Sequence, residues 1–164
     1  MDFNTHFTFM IDLEGSPHYT DGLAFFLAPG GSNISIGGGI GLPINLKTLK
    51  PTSPFVAVES DAFQNIKWDP VNISPATHVG ININSIKSNA TAVWYCNITH
   101  GIQNKAWISF DSNSKNLSVV FTGSINNTIV KRSVHFLVDL RDYLPEWVTF
   151  GFSASTGSSF SREK

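Results

Sequence analysis

The residues best suited to chemistry sit in one short stretch. Glu59 and Asp61 stand two apart in the run from Val56 to Asp61, where β-branched and apolar residues alternate as in a strand. Side chains two apart on a strand share a face, roughly 6.6 Å apart along the axis. Two carboxylates placed this way repel strongly when partly buried, unless a cation or a shared proton lies between them. The following loop supplies the Asn65 amide, the Asp69 carboxylate and then the His78 imidazole. Hard oxygen ligands suit calcium, and an added imidazole suits a transition metal such as manganese. The pattern fits a two-metal cluster with shared carboxylates. It also fits a solvated strand end with a polar loop, and spacing leaves both open.

The elements around this stretch read as strands. Phe3, Phe7 and the run 8–13 form one candidate, and 22–27 forms a short buried one closed by Pro29, Gly30 and Gly31. Residues 30–54 are rich in Gly, Pro, Ser and Asn and read as a long loop. Within it, Gly37, Gly38 and Gly39 allow close approach of the backbone to a ligand. No Lys-Ser/Thr pair and no helix pattern follow, so this is not a phosphate loop. Further strands are expected over 79–86, 90–98, 106–110, 117–122, 130–140 and 147–153, with a hairpin turn at 111–116. Trp107 and Trp147 read as core residues. No segment has a long helical period. Many short strands at such spacing indicate an all-β antiparallel sandwich or jelly roll.

Composition narrows the class. A length of 164 residues fits a single domain with a real core. Net charge is −1 and no basic patch occurs, which argues against a nucleic-acid partner. No apolar run approaches the ~20 residues of a membrane span. Met1-Asp2-Phe3-Asn4 does not read as a signal peptide. Asn-x-Ser/Thr nevertheless occurs at Asn33, Asn72, Asn89, Asn97, Asn116 and Asn126, which are candidate N-glycosylation sites on a secretory route. Pro75 weakens the Asn72 site. Cys96 is the single cysteine, so no internal disulfide forms, and its apolar context suggests an inert buried thiol.

Four ordered motifs carry a resemblance to a known family. These are Glu59-x-Asp61-x-Phe63-x-Asn65-x-x-Trp68-Asp69-Pro70 with His78-Val79-Gly80-Ile81; Tyr19 to Pro29; Leu144-Pro145-Glu146-Trp147-Val148; and Gly151 to Gly157. Together they resemble the legume (L-type) lectins of plants along nearly the whole chain. The resemblance implies a concanavalin-like jelly-roll β-sandwich, with residues 1–164 forming one domain that lacks strands at both ends. It implies carbohydrate binding without catalysis, dependent on Ca2+ and Mn2+ or another transition metal. Glu59, Asp61, Asp69 and His78 would hold the transition metal. Asp61, Asn65, Asp69 and the Phe63 carbonyl would hold calcium. Ser88 would support a metal-bound water.

The same resemblance places sugar contacts at Asp21, Asn65, the Phe63 ring and a glycine amide of Gly38 or Gly39. Ser158 and Ser159 would fall in a specificity loop. A cis peptide is implied between Thr20 and Asp21, and a homodimer is implied for the complete domain. The setting would be secreted or extracellular, either as a soluble lectin or as the ectodomain of a lectin receptor-like kinase. Ser60 and Ala62 depart from the family pattern, which usually has a larger apolar residue and Thr there.

A jelly-roll glycoside hydrolase is the competing class. Such enzymes also carry two carboxylates on one strand face, ~5–5.5 Å apart when retaining. Glu59 and Asp61 would be that pair, but Asn65, Asp69 and His78 would then have no role.

Overall fold

A computed structural model describes residues 2–14, 21–35, 37–98, 101–156 and 162–163. Its strands are β1 (Phe3–Asp12), β2 (Gly22–Ala28), β3 (Ile44–Asn45), β4 (Lys50–Pro51), β5 (Val56–Asp61) and β6 (His78–Ile83), followed by β7 (Ala90–Val93), β8 (Gln103–Asp111), β9 (Asn116–Ile125), β10 (Thr128–Leu137), β11 (Thr149–Ser155) and β12 (Arg162–Glu163). Two five-stranded antiparallel sheets form the sandwich, ordered β10-β9-β8-β1-β12 and β11-β2-β5-β6-β7. The expected jelly-roll sandwich is therefore present.

The sheets meet over one large apolar core. Phe9, Ile11 and Ile108 from one sheet and Phe25, Val58 and Ile81 from the other are buried in it. Trp94 is buried between them and its indole N–H donates to the Thr122 carbonyl at 3.0 Å. The second sheet is covered on its other face too. There Ala24, Ala28 and Ala57 pack against Ile40, Leu42 and Ile44 of the long 30–54 loop, with Phe55 and Ile86. Two covered faces explain why β2 is a continuous apolar run rather than an alternating one. They also explain why every residue of β5 and β6 is buried.

Strand limits shift from the sequence expectation where the backbone turns. β6 stops at Ile83 because Asn84 takes φ of 51°, which ends the extended run expected to reach residue 86. β7 ends at Val93, and 94–98 is irregular. Trp147 is not in the core: it is 83 % exposed, beside Phe150 at 73 % and Phe152 at 56 %.

β11 is the outer strand of its sheet among the described residues, so one side of its backbone lacks a strand partner. A free edge carrying exposed aromatics is a template for pairing with other chains. The purified 164-residue chain is expected to self-associate at roughly tens of micromolar. Phe150→Lys should raise the monomer fraction several-fold in size-exclusion light scattering. A monodisperse wild-type monomer would contradict this.

Candidate functional site

The site is built at one end of β5 and β6. Antiparallel pairing sets Asp61 opposite His78 and Glu59 opposite Gly80, so the acids and the imidazole share a covered face. Gly22 pairs with Asp61, which brings Asp21 to the same end. The Ala62 N–H donates to the Asp21 carbonyl at 2.9 Å and locks the two loops together. Gly22 takes φ of 138°, and a Cβ there would collide with the Ser60 carbonyl, so only glycine fits.

The loop after β5 is wound by its own side chains. The Phe63 N–H donates to Asp61 Oδ1 at 2.8 Å, and the Asn65 N–H donates to Asp69 Oδ2. The Trp68 and Asp69 N–H groups both donate to the Asn65 carbonyl, at 3.0 and 2.9 Å. Gln64 Nε2 donates to the Pro70 carbonyl at 2.8 Å. This returns Asp69 to Asp61 and His78: ligand atoms of these three buried residues lie within 4.8 Å of one another. Glu59 stands beside them, with Oε1 3.3 Å from His78 Nε2.

That 3.3 Å approach is long for a hydrogen bond, and neither buried His78 nitrogen makes a well-aligned one. Fully buried imidazole nitrogens without partners are costly, and a cation is what such a donor set fits. Electrostatics agree. Burial pushes the Asp61 carboxyl well above its ordinary value, helped by Glu59, Asp69 and Asp21. Burial likewise raises Asp69 to about 6, against the lowering effect of the Asn65 N–H and His78. Burial pulls His78 down, but Glu59 and Asp69 more than offset it, so the imidazole sits above its usual value. Without a cation this pocket retains protons that an exposed one would release.

Around the acids lies a second set of groups. Asp21 is buried, its Oδ2 has no partner, and burial raises its pKa against a hydrogen bond from Ser155. The Phe63 ring is 42 % exposed and so is not part of the core. Gly38 abuts Asn65: a Cβ there would meet Asn65 Oδ1 at 3.3 Å and Nδ2 at 3.5 Å. Gly39 instead faces Ser35 and Leu46. The glycine loop is anchored by Ser153, whose hydroxyl donates to the Ile40 carbonyl at 2.7 Å. Ser158, Ser159 and Thr20 lie outside the described residues.

Some contributors were not singled out from sequence. Ser155 on β11 pairs with Gly22 and so reaches Asp21, a contact that only the fold creates. Gly80 is required because a Cβ would strike Ser88 Oγ and, at 2.7 Å, Glu59 Oε1. Ser88 donates to Glu59 Oε1. Among the sequons, Asn33, Asn72, Asn89 and Asn126 are exposed and Asn97 is half-buried. Asn116 spends its Nδ2 on Ser118 Oγ and buries its Oδ1. Cys96 is half-buried, and burial pushes its thiol up to about 11, which disfavours the thiolate.

The legume lectin domain family matches residues 1–164. The lectin of Lens culinaris subsp. orientalis is 39 % identical over 163 residues, covering 98 % of this chain and 58 % of its own length. The Bauhinia forficata lectin, solved in complex with GalNAc, superposes with a TM-score of 0.82 at 31 % identity, over 99 % of this chain and 69 % of its own. The acidic winged bean lectin, complexed with methyl-α-D-galactose, gives 0.77 at 33 % identity, over 99 % and 66 %. The chain thus spans somewhat over half the length of the curated relatives it matches. It belongs to the legume lectin domain family.

Proposed function

We propose that the chain binds carbohydrate through a site shaped by bound divalent ions and performs no catalysis. The observation that carries this is the buried cluster of Asp61, Asp69 and His78 with Glu59 alongside, next to a buried Asp21 carboxylate with an unpartnered oxygen. Glu59, Asp61, Asp69 and His78 suit a transition metal such as Mn2+, and Asp61, Asn65, Asp69 and the Phe63 carbonyl suit Ca2+. When bound, the ions neutralise the acids and fix the 62–70 loop.

The chain's own groups then do the recognition. Asp21 Oδ2 accepts hydrogen bonds from sugar hydroxyls, and charge makes those bonds strong. The Asn65 amide and the Gly38 N–H supply further polar contacts. The exposed Phe63 ring takes the sugar's C–H face. Ser155 holds the Asp21 carboxylate in place. Ser158 and Ser159 would choose among sugars. The glycosidase alternative loses ground because the lectin relatives align along nearly the whole chain.

The open β11 edge supports a domain completed by further strands. Val120, Ile129 and Leu137, exposed on β9 and β10, support a homodimer through that sheet. Exposed sequons, Asn33 and Asn126 foremost, support a secreted or extracellular glycoprotein. Among the described residues, no helix is long and apolar enough to cross a membrane.

Affinity chromatography on a hexose panel that includes galactose and N-acetylgalactosamine tests the reading. The metal-loaded protein should be retained on at least one sugar and eluted by that sugar when free. Asp21→Asn should weaken retention at least ~100-fold, because the buried charged acceptor is lost. Equal retention of wild type and Asp21→Asn would overturn the assignment.

A further inference from the structure

The loop from 84 to 89, joining β6 to β7, covers the metal face of β6. Ile86 is buried in the smaller apolar core, and Ser88 reaches Glu59. The loop is fastened to the sheet by three asparagines. Asn84 Oδ1 accepts from the Phe55 N–H at 2.7 Å, and Asn89 Oδ1 accepts from the Ile83 N–H at 3.0 Å. Asn82 does something different. It lies on β6 two residues beyond Gly80 and four beyond His78, on the same face, and is fully buried.

The Asn82 amide points into the loop. Its Nδ2 donates to the Ser85 carbonyl at 3.2 Å and the Ile86 carbonyl at 3.0 Å. Its Oδ1 lies 3.4 Å from Ser88 Oγ. The single Ser88 proton is directed mainly to Glu59 Oε1, with Asn82 Oδ1 as a weaker second arm. A buried primary amide is costly unless its groups are satisfied, and here its two donors meet two loop carbonyls. The connection runs from Asn82, through the backbone at 85 and 86, to Ser88, to Glu59, and so to His78.

We propose that Asn82 is a positioning residue for the transition-metal half of the centre. It sets Mn2+ affinity by fixing the loop from which Ser88 holds the Glu59 carboxylate, and it does not touch the ion. This rests on the metal-centre reading above. Partners that orient metal ligands in this way typically change affinity by ~10–100-fold when removed.

The test titrates Mn2+ alone into the metal-free protein and follows free Mn2+ by electron paramagnetic resonance. Asn82→Ala should weaken Mn2+ binding ~10–100-fold. Asn84→Ala, which loosens the same loop without contacting Ser88, should lower Tm but leave Mn2+ affinity within about threefold. In a Ser88→Ala background, Asn82→Ala should add little further loss, because both act along one path. Should Asn82→Ala not melt cooperatively, Asn82→Ser carries the same comparison.

Unchanged Mn2+ affinity in a folded Asn82 variant overturns the proposal. Equal weakening by Asn84→Ala, or full additivity with Ser88→Ala, also overturns it. Failure of the wild-type protein to bind Mn2+ instead removes the metal-centre reading itself, and this inference with it.

Discussion

Exhaustive chelation of the metal-loaded protein is expected to lower its melting temperature by roughly 10 °C and to abolish sugar retention. Asp61 is buried with Glu59, Asp69 and Asp21 all raising its pKa, so the pocket holds acids that repel one another. Ions that bind only the folded state stabilise it by about 4 kcal/mol at a thousandfold excess over Kd. For a chain of this length, each kcal/mol corresponds to about 2–4 °C. The loss of binding has a separate cause. Without ions the acid-rich part of the 62–70 loop loses its cross-link to Asp61 and His78, and the Asn65 amide loses its fixed position. Scanning calorimetry with and without chelator, followed by readdition of Ca2+ and Mn2+, measures both effects. Sugar retention that survives complete ion removal would exclude the metal-shaped site.

Removing the ions should also invert the response to pH. In the metal-free protein, Asp61 and Asp69 titrate above their unfolded values, Asp69 at about 6. Between the unfolded and folded values, the folded chain therefore binds more protons than the unfolded chain. Stability is then highest near pH 4 and falls as pH rises through about 6. His78 acts in the same direction. Its pKa is raised on folding, so its contribution is present below its unfolded value and lost as pH rises through the folded one. Carboxylates held low, such as Asp139 beside Arg141 and Lys115, change only in more acidic solution. The metal-free protein should thus lose roughly 5 °C of melting temperature between pH 5 and pH 8.

The metal-loaded protein should do the reverse. Its ligands must be deprotonated to bind, so acid expels the ions and lowers stability. Melting curves measured from pH 5 to 8, with and without chelator, should converge toward pH 5 and separate toward pH 8. Parallel curves, or a metal-free protein more stable at pH 8, would contradict the pocket's electrostatics.

Much of this site could be read from the chain because its geometry is local. Glu59 and Asp61 share a face by strand periodicity, and Asp69 is returned by hydrogen bonds within its own loop. Whether Gly38 or Gly39 faces Asn65 depends on how a long loop folds back on β11, and short-range pattern carries no such information. In the sequence Gly80, Asn82 and Asn84 alternate with Val79, Ile81 and Ile83, and nothing in that alternation says what lies over the polar side. The structure covers that face with the 84–89 loop, which makes Asn82 a buried clamp. Trp147 reads as core from its size, yet no described strand lies beyond β11 to cover it.

Metal content tests the central claim most directly. The protein should be loaded with Ca2+ and Mn2+, freed of unbound ions, and analysed by mass spectrometry of the elements. The wild type should carry about one calcium and one manganese per chain and Asp61→Ala neither, because its missing carboxylate would serve both ions. A wild-type chain carrying no ions, or an Asp61→Ala chain carrying as many as wild type, would contradict it.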